Sequence, residues 1–215
     1  LSAAEVNFEP LAGVGGVRAV FLPRMPGVAV DTDRATALAR LEPRHHEHLR
    51  SRGFDPARLA TAEQVHGAGV AVAAGAGQHA GADALVTAER GLALGIYVAD
   101  CAAVYLADRQ GRAVGLVHSG RAGTEANIVG RTLSLLHDEF GVEPGSVTVE
   151  LSPCIRPPLY ETDFAAQIIA QARAAGAGEV RDRGICTGSR VDRYYSYRVE
   201  RGRTGRMLAV LALQP

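Results

Sequence analysis

Apolar and polar positions follow two rhythms along this chain. Short, mainly apolar runs bounded by Gly, Asp or Arg recur at 17–22, 70–73, 83–87, 92–99, 102–107, 114–117, 146–151 and 207–213, and runs of this kind predict buried strands. Helical spacing appears elsewhere. Ile128, Val129, Leu133, Leu136 and Phe140 share one face of a helix predicted over 124–140, and a second is expected over 164–174. Residues 31–53 are rich in Arg, Glu, Ala and Leu, with Asp31 or Asp33 placed to cap a helix and Gly53 to end one. Pro43 lies in the middle, so two helices are expected there. The Gly-rich stretches 13–16 and 75–81 read as a turn and a flexible loop.

Three of the apolar runs stop at a side chain that can bind metal. Val65 leads into His66, the run 92–98 leads through Ala99 and Asp100 into Cys101, and 114–117 leads into His118. Loops that leave neighbouring strand ends can bring such residues together. Two imidazoles and a thiol suit zinc or copper better than magnesium or calcium, and three protein ligands leave a fourth position open. Taken singly, a buried Cys is a small hydrophobe and a strand-end His a hydrogen-bonded structural residue. The gaps are long and no paired CxxC is present, so spacing leaves both readings open. Successive strand residues point to opposite faces, so Asp100 and Cys101 reach one site only if the strand bends between them.

Other chemistry-bearing residues are weaker signals. His45, His46 and His48 fall on a helix whose Arg-flanked face is expected to be exposed. His45-His46-Glu47 and the later Pro153-Cys154 imitate the zinc deaminase signature, but that signature needs a second Cys where Pro157 stands. The loop 119–123 with Arg121, opening a helix at Thr124, reads equally as an anion seat and as an N-cap. Tyr194, Tyr195 and Tyr197 could stack on a base or pack a domain edge.

Composition narrows the classes. Among 215 residues, 47% hydrophobic, 23 basic residues balance 23 acidic ones, and every basic residue is Arg. The length allows one domain or a tightly fused pair. Charge balance argues against nucleic-acid and membrane-surface partners, and the lack of Lys excludes a Schiff-base lysine and a P-loop. Three Cys make no disulfide framework. No charged segment followed by an apolar core opens the sequence and no run approaches a membrane span, so a cytoplasmic location is expected.

Gln64-Val65-His66-Gly67, Asp83-Ala84-Leu85-Val86-Thr87, Ala99-Asp100-Cys101, Val117-His118-Ser119-Gly120, Ser152-Pro153-Cys154-Ile155 and Tyr195-Ser196-Tyr197-Arg198 occur in an ordered set that resembles the laccase-domain, YfiH-type family over nearly the whole chain. The resemblance implies an α+β fold, a single domain over 1–215 with mixed β-sheets and flanking helices. It also implies zinc held by His66, Cys101 and His118. The family was first described as multicopper polyphenol oxidases and then as purine nucleoside enzymes that phosphorolyse adenosine, inosine and methylthioadenosine and deaminate adenosine; some bacterial members are linked to keeping peptidoglycan precursors correct. A purine nucleoside and phosphate are the small-molecule partners so implied.

On that reading Asp83 and Asp100 are the candidates for proton transfer beside Cys101. Arg24, Arg121 and the helix start at Thr124 are candidates for phosphate, with Gln64 on the substrate. Copper is a second candidate metal, but seven His, three of them on one helix, are too few for a trinuclear copper cluster. A metal-free hydrolase using Cys101 and His118 also stays open, as does a nucleoside-binding module without turnover. The chain departs from the family pattern in three places. Ser119-Gly120-Arg121-Ala122-Gly123 stands where the family has Ala-Gly-Trp-Arg-Gly. Ala102 replaces the Pro after the Asp-Cys pair, and the glycine pair that follows the Phe-x-x-Arg of Phe21 to Arg24 is missing.

Overall fold

The computed structural model describes residues 8–215. Eleven strands form two mixed sheets. The first runs β1(Val17–Leu22), β11(Met207–Leu213), β6(Ala93–Val98), β2(Leu59–Ala62), β4(Gly77–His79), and the second β10(Glu179–Arg181), β9(Val147–Leu151), β7(Ala102–Asp108), β8(Val114–Ser119), β5(Ala84–Thr87), β3(Val70–Val72). In the first sheet β11 lies antiparallel between β1 and β6, while β2 runs parallel to both β6 and β4. In the second, β9, β7, β8 and β5 are antiparallel neighbours, with β10 and β3 added parallel at the edges.

Burial follows from the two-residue period of a strand. On β7, Ala103, Tyr105 and Ala107 join a core that includes Leu94 and Ile96 of β6, Leu208 and Val210 of β11, and Leu41 and Leu49 of α1(Arg34–Ser51). The alternate residues Ala102, Val104 and Leu106 join a second core with Leu133 and Leu136 of α3(Ile128–Phe140) and Ile168 of α4(Phe164–Ala174). The second sheet is therefore the middle layer, and its central strand is buried on both faces. The architecture is α+β, as expected.

The structure differs from the sequence-based expectations at several elements. Residues 34–51 form one helix with Pro43 inside it, capped by Asp33 through a bond from the Thr36 N–H at 3.0 Å. Proline costs a helix interior about 3 kcal/mol, but Ala37, Leu41, His45 and Leu49 recur every four residues and are all buried, so packing carries the helix through. The same register corrects the histidines: His45 is only 1% exposed, while His48 faces solvent. The expected helix over 124–140 is divided into α2(Arg121–Glu125) and α3 by Asn127, whose φ is 55°. The loop at 75–81 contains β4, tied parallel to β2. The two short strands β2 and β10 were missed, being brief and without a long apolar run.

Candidate metal centre and its cavity

Two of the segments that cross from one sheet to the other each carry a candidate ligand. β6 of the first sheet becomes β7 of the second through Ala99, Asp100 and Cys101 alone. The bend that brings Cys101 round is at Asp100, with φ 84°. β2 of the first sheet is followed by the loop to β3 of the second, which carries His66. Gln64 and His66 there have φ 63° and 60°. The apolar lead-in expected at Val65 is not a buried strand: Val65 is 53% exposed in a loop. His118 lies on β8, paired with Ala103 of β7. Left-handed backbone at residues other than Gly is uncommon and collects where function constrains the chain.

The ligand-type atoms of His66, Cys101 and His118 lie within 4.8 Å of one another. The edges of a zinc tetrahedron with N and S ligands are roughly 3.3–3.6 Å, so a small inward movement brings all three onto one ion. The two imidazoles stand at 80° with centroids 4.9 Å apart, His66 exposed and His118 buried. Gly120 makes room for the sulfur, since a Cβ there would lie 2.5 Å from Cys101 Sγ. Donor set, spacing and one open side fit a borderline-soft divalent ion.

Asp83 braces both histidines. Fully buried, it accepts from His118 Nδ1 at 2.8 Å and from the backbone N–H groups of His66 and Gly67 at 2.9 and 2.7 Å. With the Nδ1 proton committed there, Nε2 of His118 is left for a ligand, the carboxylate–histidine arrangement that fixes tautomer and ring in metal sites. Burial pushes the Asp83 carboxyl up, but the bonds from His118 and Gly67 outweigh it and hold it below the ordinary value. Burial likewise raises the Cys101 thiol, yet hydrogen bonds with His118 and His66 bring it down to about 6. His118 is driven down by burial and up by Asp83 and Cys101, reaching about 9. The thiolate that a metal needs is favoured before any ion arrives.

Asp100 does a different job. Its carboxylate accepts from Thr187 Oγ1 at 2.6 Å, Ser196 Oγ at 3.0 Å and the Arg198 N–H at 2.7 Å. It thereby fastens the segment 187–198 to the β6–β7 crossover. Gln64 also braces: its side-chain amide exchanges two hydrogen bonds with the backbone of Tyr97, at 2.6 and 2.9 Å.

The triad opens into a cavity of about 1040 Å³. Asp100, Gln64 and Arg121 line it, with Tyr97, Tyr160, Phe164 and Tyr197, and with Arg34, Arg198, Arg201 and Arg206. Arg24 and Thr124 are not brought there. Arg24 donates to Glu200 at 2.7 Å and to the Tyr194 carbonyl, and its guanidinium covers the Tyr195 ring at 4.4 Å. Thr124 is buried within α2, with its hydroxyl on the Gly120 carbonyl at 2.7 Å; α2 begins at Arg121, not at Thr124. Arg121 pairs with Glu125 at 2.9 Å. Of the three tyrosines, Tyr194 and Tyr195 are buried and Tyr197 is 55% exposed at the cavity. Arg34, Arg201 and Arg206 were missed by sequence reasoning. In a chain whose every cation is Arg, nothing local marks these three.

Comparison with known proteins decides the family. A family model described as multi-copper polyphenol oxidoreductase laccase matches residues 31–165 and 160–214. The chain belongs to the laccase-domain, YfiH-type family. It is 32% identical over 223 residues to a purine nucleoside phosphorylase of Streptomyces coelicolor, covering 90% of this chain and 89% of that one. A purine nucleoside phosphorylase of Deinococcus radiodurans is 34% identical over 187 residues, 75% of this chain and 72% of that protein. Among solved structures, YlmD from Geobacillus stearothermophilus matches with a TM-score of 0.78 at 24% identity, covering 94% and 93% of the two chains. The Bacillus licheniformis hypothetical protein YfiH gives 0.78 at 19%, covering 92% and 93%. These structural matches agree with the α+β arrangement of two mixed sheets.

Proposed function

We propose that this chain is a zinc-dependent purine nucleoside phosphorylase that converts adenosine, inosine or methylthioadenosine to free base and pentose 1-phosphate. The observation that carries this reading is the His66, Cys101 and His118 triad, open on one side to a cavity lined by aromatic and arginine side chains. The names of the relatives support the substrate class. When bound, zinc supplies a Lewis-acidic open position on the cavity. The chain's own residues do the rest. Tyr197, 55% exposed, offers a ring face to a purine, with Tyr160 on the cavity wall backed edge-on by the buried Phe164, and Asp83 holds His118 in one orientation. The fastening of 187–198 to Asp100 keeps Tyr197 and Arg198 beside the triad.

Adenosine deamination is the weaker half of the expectation. It needs a carboxylate free to carry protons next to the attacked carbon, and Asp83 and Asp100 each already accept three hydrogen bonds from the chain. Zinc is favoured over copper because His66, Cys101 and His118 are the only three-ligand group among the described residues, whereas a multicopper oxidase needs several clusters. One observation favours a second reading. Asp83 accepts from His118 at 2.8 Å, and the His118 ring and the Cys101 sulfur offer their atoms within 4.8 Å of one another, the order of groups in a cysteine hydrolase.

Elemental analysis of the purified protein, followed by incubation with adenosine with and without phosphate, tests both readings. The phosphorylase releases adenine only with phosphate and loses activity to a chelator. Activity that survives complete removal of metal would put the Cys101–His118 dyad in its place.

A further inference from the structure

Five arginines line the cavity, and they are not equivalent. Arg121 is paired with Glu125 at 2.9 Å and Arg198 with Glu161 at 2.5 Å. Arg34, in the first turn of α1, and Arg201, in the segment leading to β11, have no hydrogen-bond or ion-pair partner among the described residues. Arg206 donates only to the backbone carbonyls of Thr204 and Gly205, at 3.0 and 2.9 Å. Its guanidinium lies 5.8 Å from the Tyr197 ring centroid. Three guanidiniums therefore face one cavity with no carboxylate assigned to them.

We infer that Arg34, Arg201 and Arg206 form the seat of a phosphate dianion, within the same cavity as the ligand triad. The inference deepens the phosphorylase reading and rests on it for the reaction the phosphate enters. Cations that share a cavity without ion-pair partners repel one another, and a doubly charged oxyanion relieves the repulsion. Burial, and next to it the charge of Arg34, already pulls Arg206 below its ordinary pKa. Guanidinium forks match phosphate oxygens two at a time. Anchored by two carbonyls, Arg206 is the fixed member; Arg34 and Arg201, exposed at the rim, close on the anion. Arg24, which the sequence suggested for this task, supports the seat from behind. It holds Glu200, and Glu200 in turn accepts from the Ser196 N–H at 2.9 Å and from the Thr204 hydroxyl at 2.6 Å. The segment that presents Arg201 and Arg206 is fixed that way.

The same chemistry could arrive as inorganic phosphate or as the 5′-phosphate of a nucleotide, and one experiment covers both. Metal-loaded full chain is titrated calorimetrically with inorganic phosphate, adenosine 5′-monophosphate and adenosine, as wild type, Arg34→Gln and Arg206→Gln. Arg34→Gln alters an exposed side chain without partners, so its metal content stays at the wild-type level and its fold is not at stake. Its affinity for inorganic phosphate falls about tenfold or more, while adenosine binds as before. A parallel fall for the monophosphate shows that a nucleotide uses the seat too; a fall for inorganic phosphate alone assigns it to the co-substrate. Wild-type affinity of Arg34→Gln for both anions overturns the seat. If the protein proves not to cleave purine nucleosides while anion binding still depends on Arg34, only the phosphorylase reading falls. If it does cleave them, and Arg34→Gln leaves the KM for phosphate unchanged, only the seat falls.

Discussion

Around the triad, Asp83 and Asp100 spend every carboxylate oxygen on donors from the chain, whereas three arginines of the same cavity have no acidic partner among the described residues. One part of the site is finished by the fold, and the other is finished by what binds. The finished part sits on two crossovers between sheets, where backbone hydrogen bonds and buried carboxylates leave little room for adjustment. The unfinished part sits on the first turn of α1 and on 194–206, fastened at Asp100 and Glu200 but presenting its cations outward. Such a division suits a reaction in which bond-making groups must be held in place and a mobile anion supplies its own binding energy.

The largest effect is expected where the finished part loses a ligand. Cys101→Ala or His66→Ala should abolish stoichiometric metal and lower phosphorolysis by on the order of a thousandfold or more. Metal analysis and a product assay read the two together. Stoichiometric zinc in both variants would break the comparison at its root, because the triad would then not be a metal site.

Removing a brace should cost less than removing a ligand. Asp83→Asn keeps the shape but gives up the charge that orients His118 and the His66–Gly67 backbone. Metal affinity is expected to fall about 10–100-fold, measured by competition with a chromogenic chelator. An unchanged affinity would mean that packing alone orients the rings. Tyr197→Ala probes the other part: losing one stacking face should raise the KM for nucleoside about tenfold and leave metal content untouched. A loss of metal in that variant would show that the two parts are one cooperative unit.

The same contrast explains what could be read in the sequence. The strand runs at 17–22 and 207–213 and the helix at 164–174 were legible because burial on regular elements leaves a period. The three candidate ligands stood out in the sequence by their chemistry, and the structure brings them within 4.8 Å of one another. The bend at Asp100 was demanded by strand alternation, and the structure shows it. Their bracing was not legible: Asp83 and Asp100 look like free acids in a string, and only the three-dimensional donors around each show that both are occupied. Arg24 and Arg206 illustrate the converse. Both are arginines near apolar strands, and the difference lies in one partner, Glu200, 176 residues from Arg24 along the chain. Pro43 misled for a related reason, because the gain from burying Leu41, His45 and Leu49 is not encoded next to the proline.

The smallest effect on activity, and the sharpest on pH, is expected at His45, which belongs to neither part although it lies beneath the cavity wall. Its ring is 6.0 Å from that of Tyr97, and neither of its nitrogens has a hydrogen-bond partner among the described residues. Burial, then the charges of His46 and His48, lowers its pKa from 6.5 to about 4. The unfolded chain therefore takes up a proton near pH 6.5 that the folded chain refuses until about pH 4. Stability is complete above the unfolded value and drains away as pH falls between the two, by at most roughly 3 kcal/mol. His45→Phe, of similar shape with no group to protonate, should flatten the denaturation midpoint between pH 6.5 and 4 and leave kcat and metal content at wild-type levels near pH 7. A variant that still loses stability over that range would move the acid sensitivity to the triad itself, where protons compete with the ion for the Cys101 thiolate. The finished part of the site would then be the one that pH takes apart first.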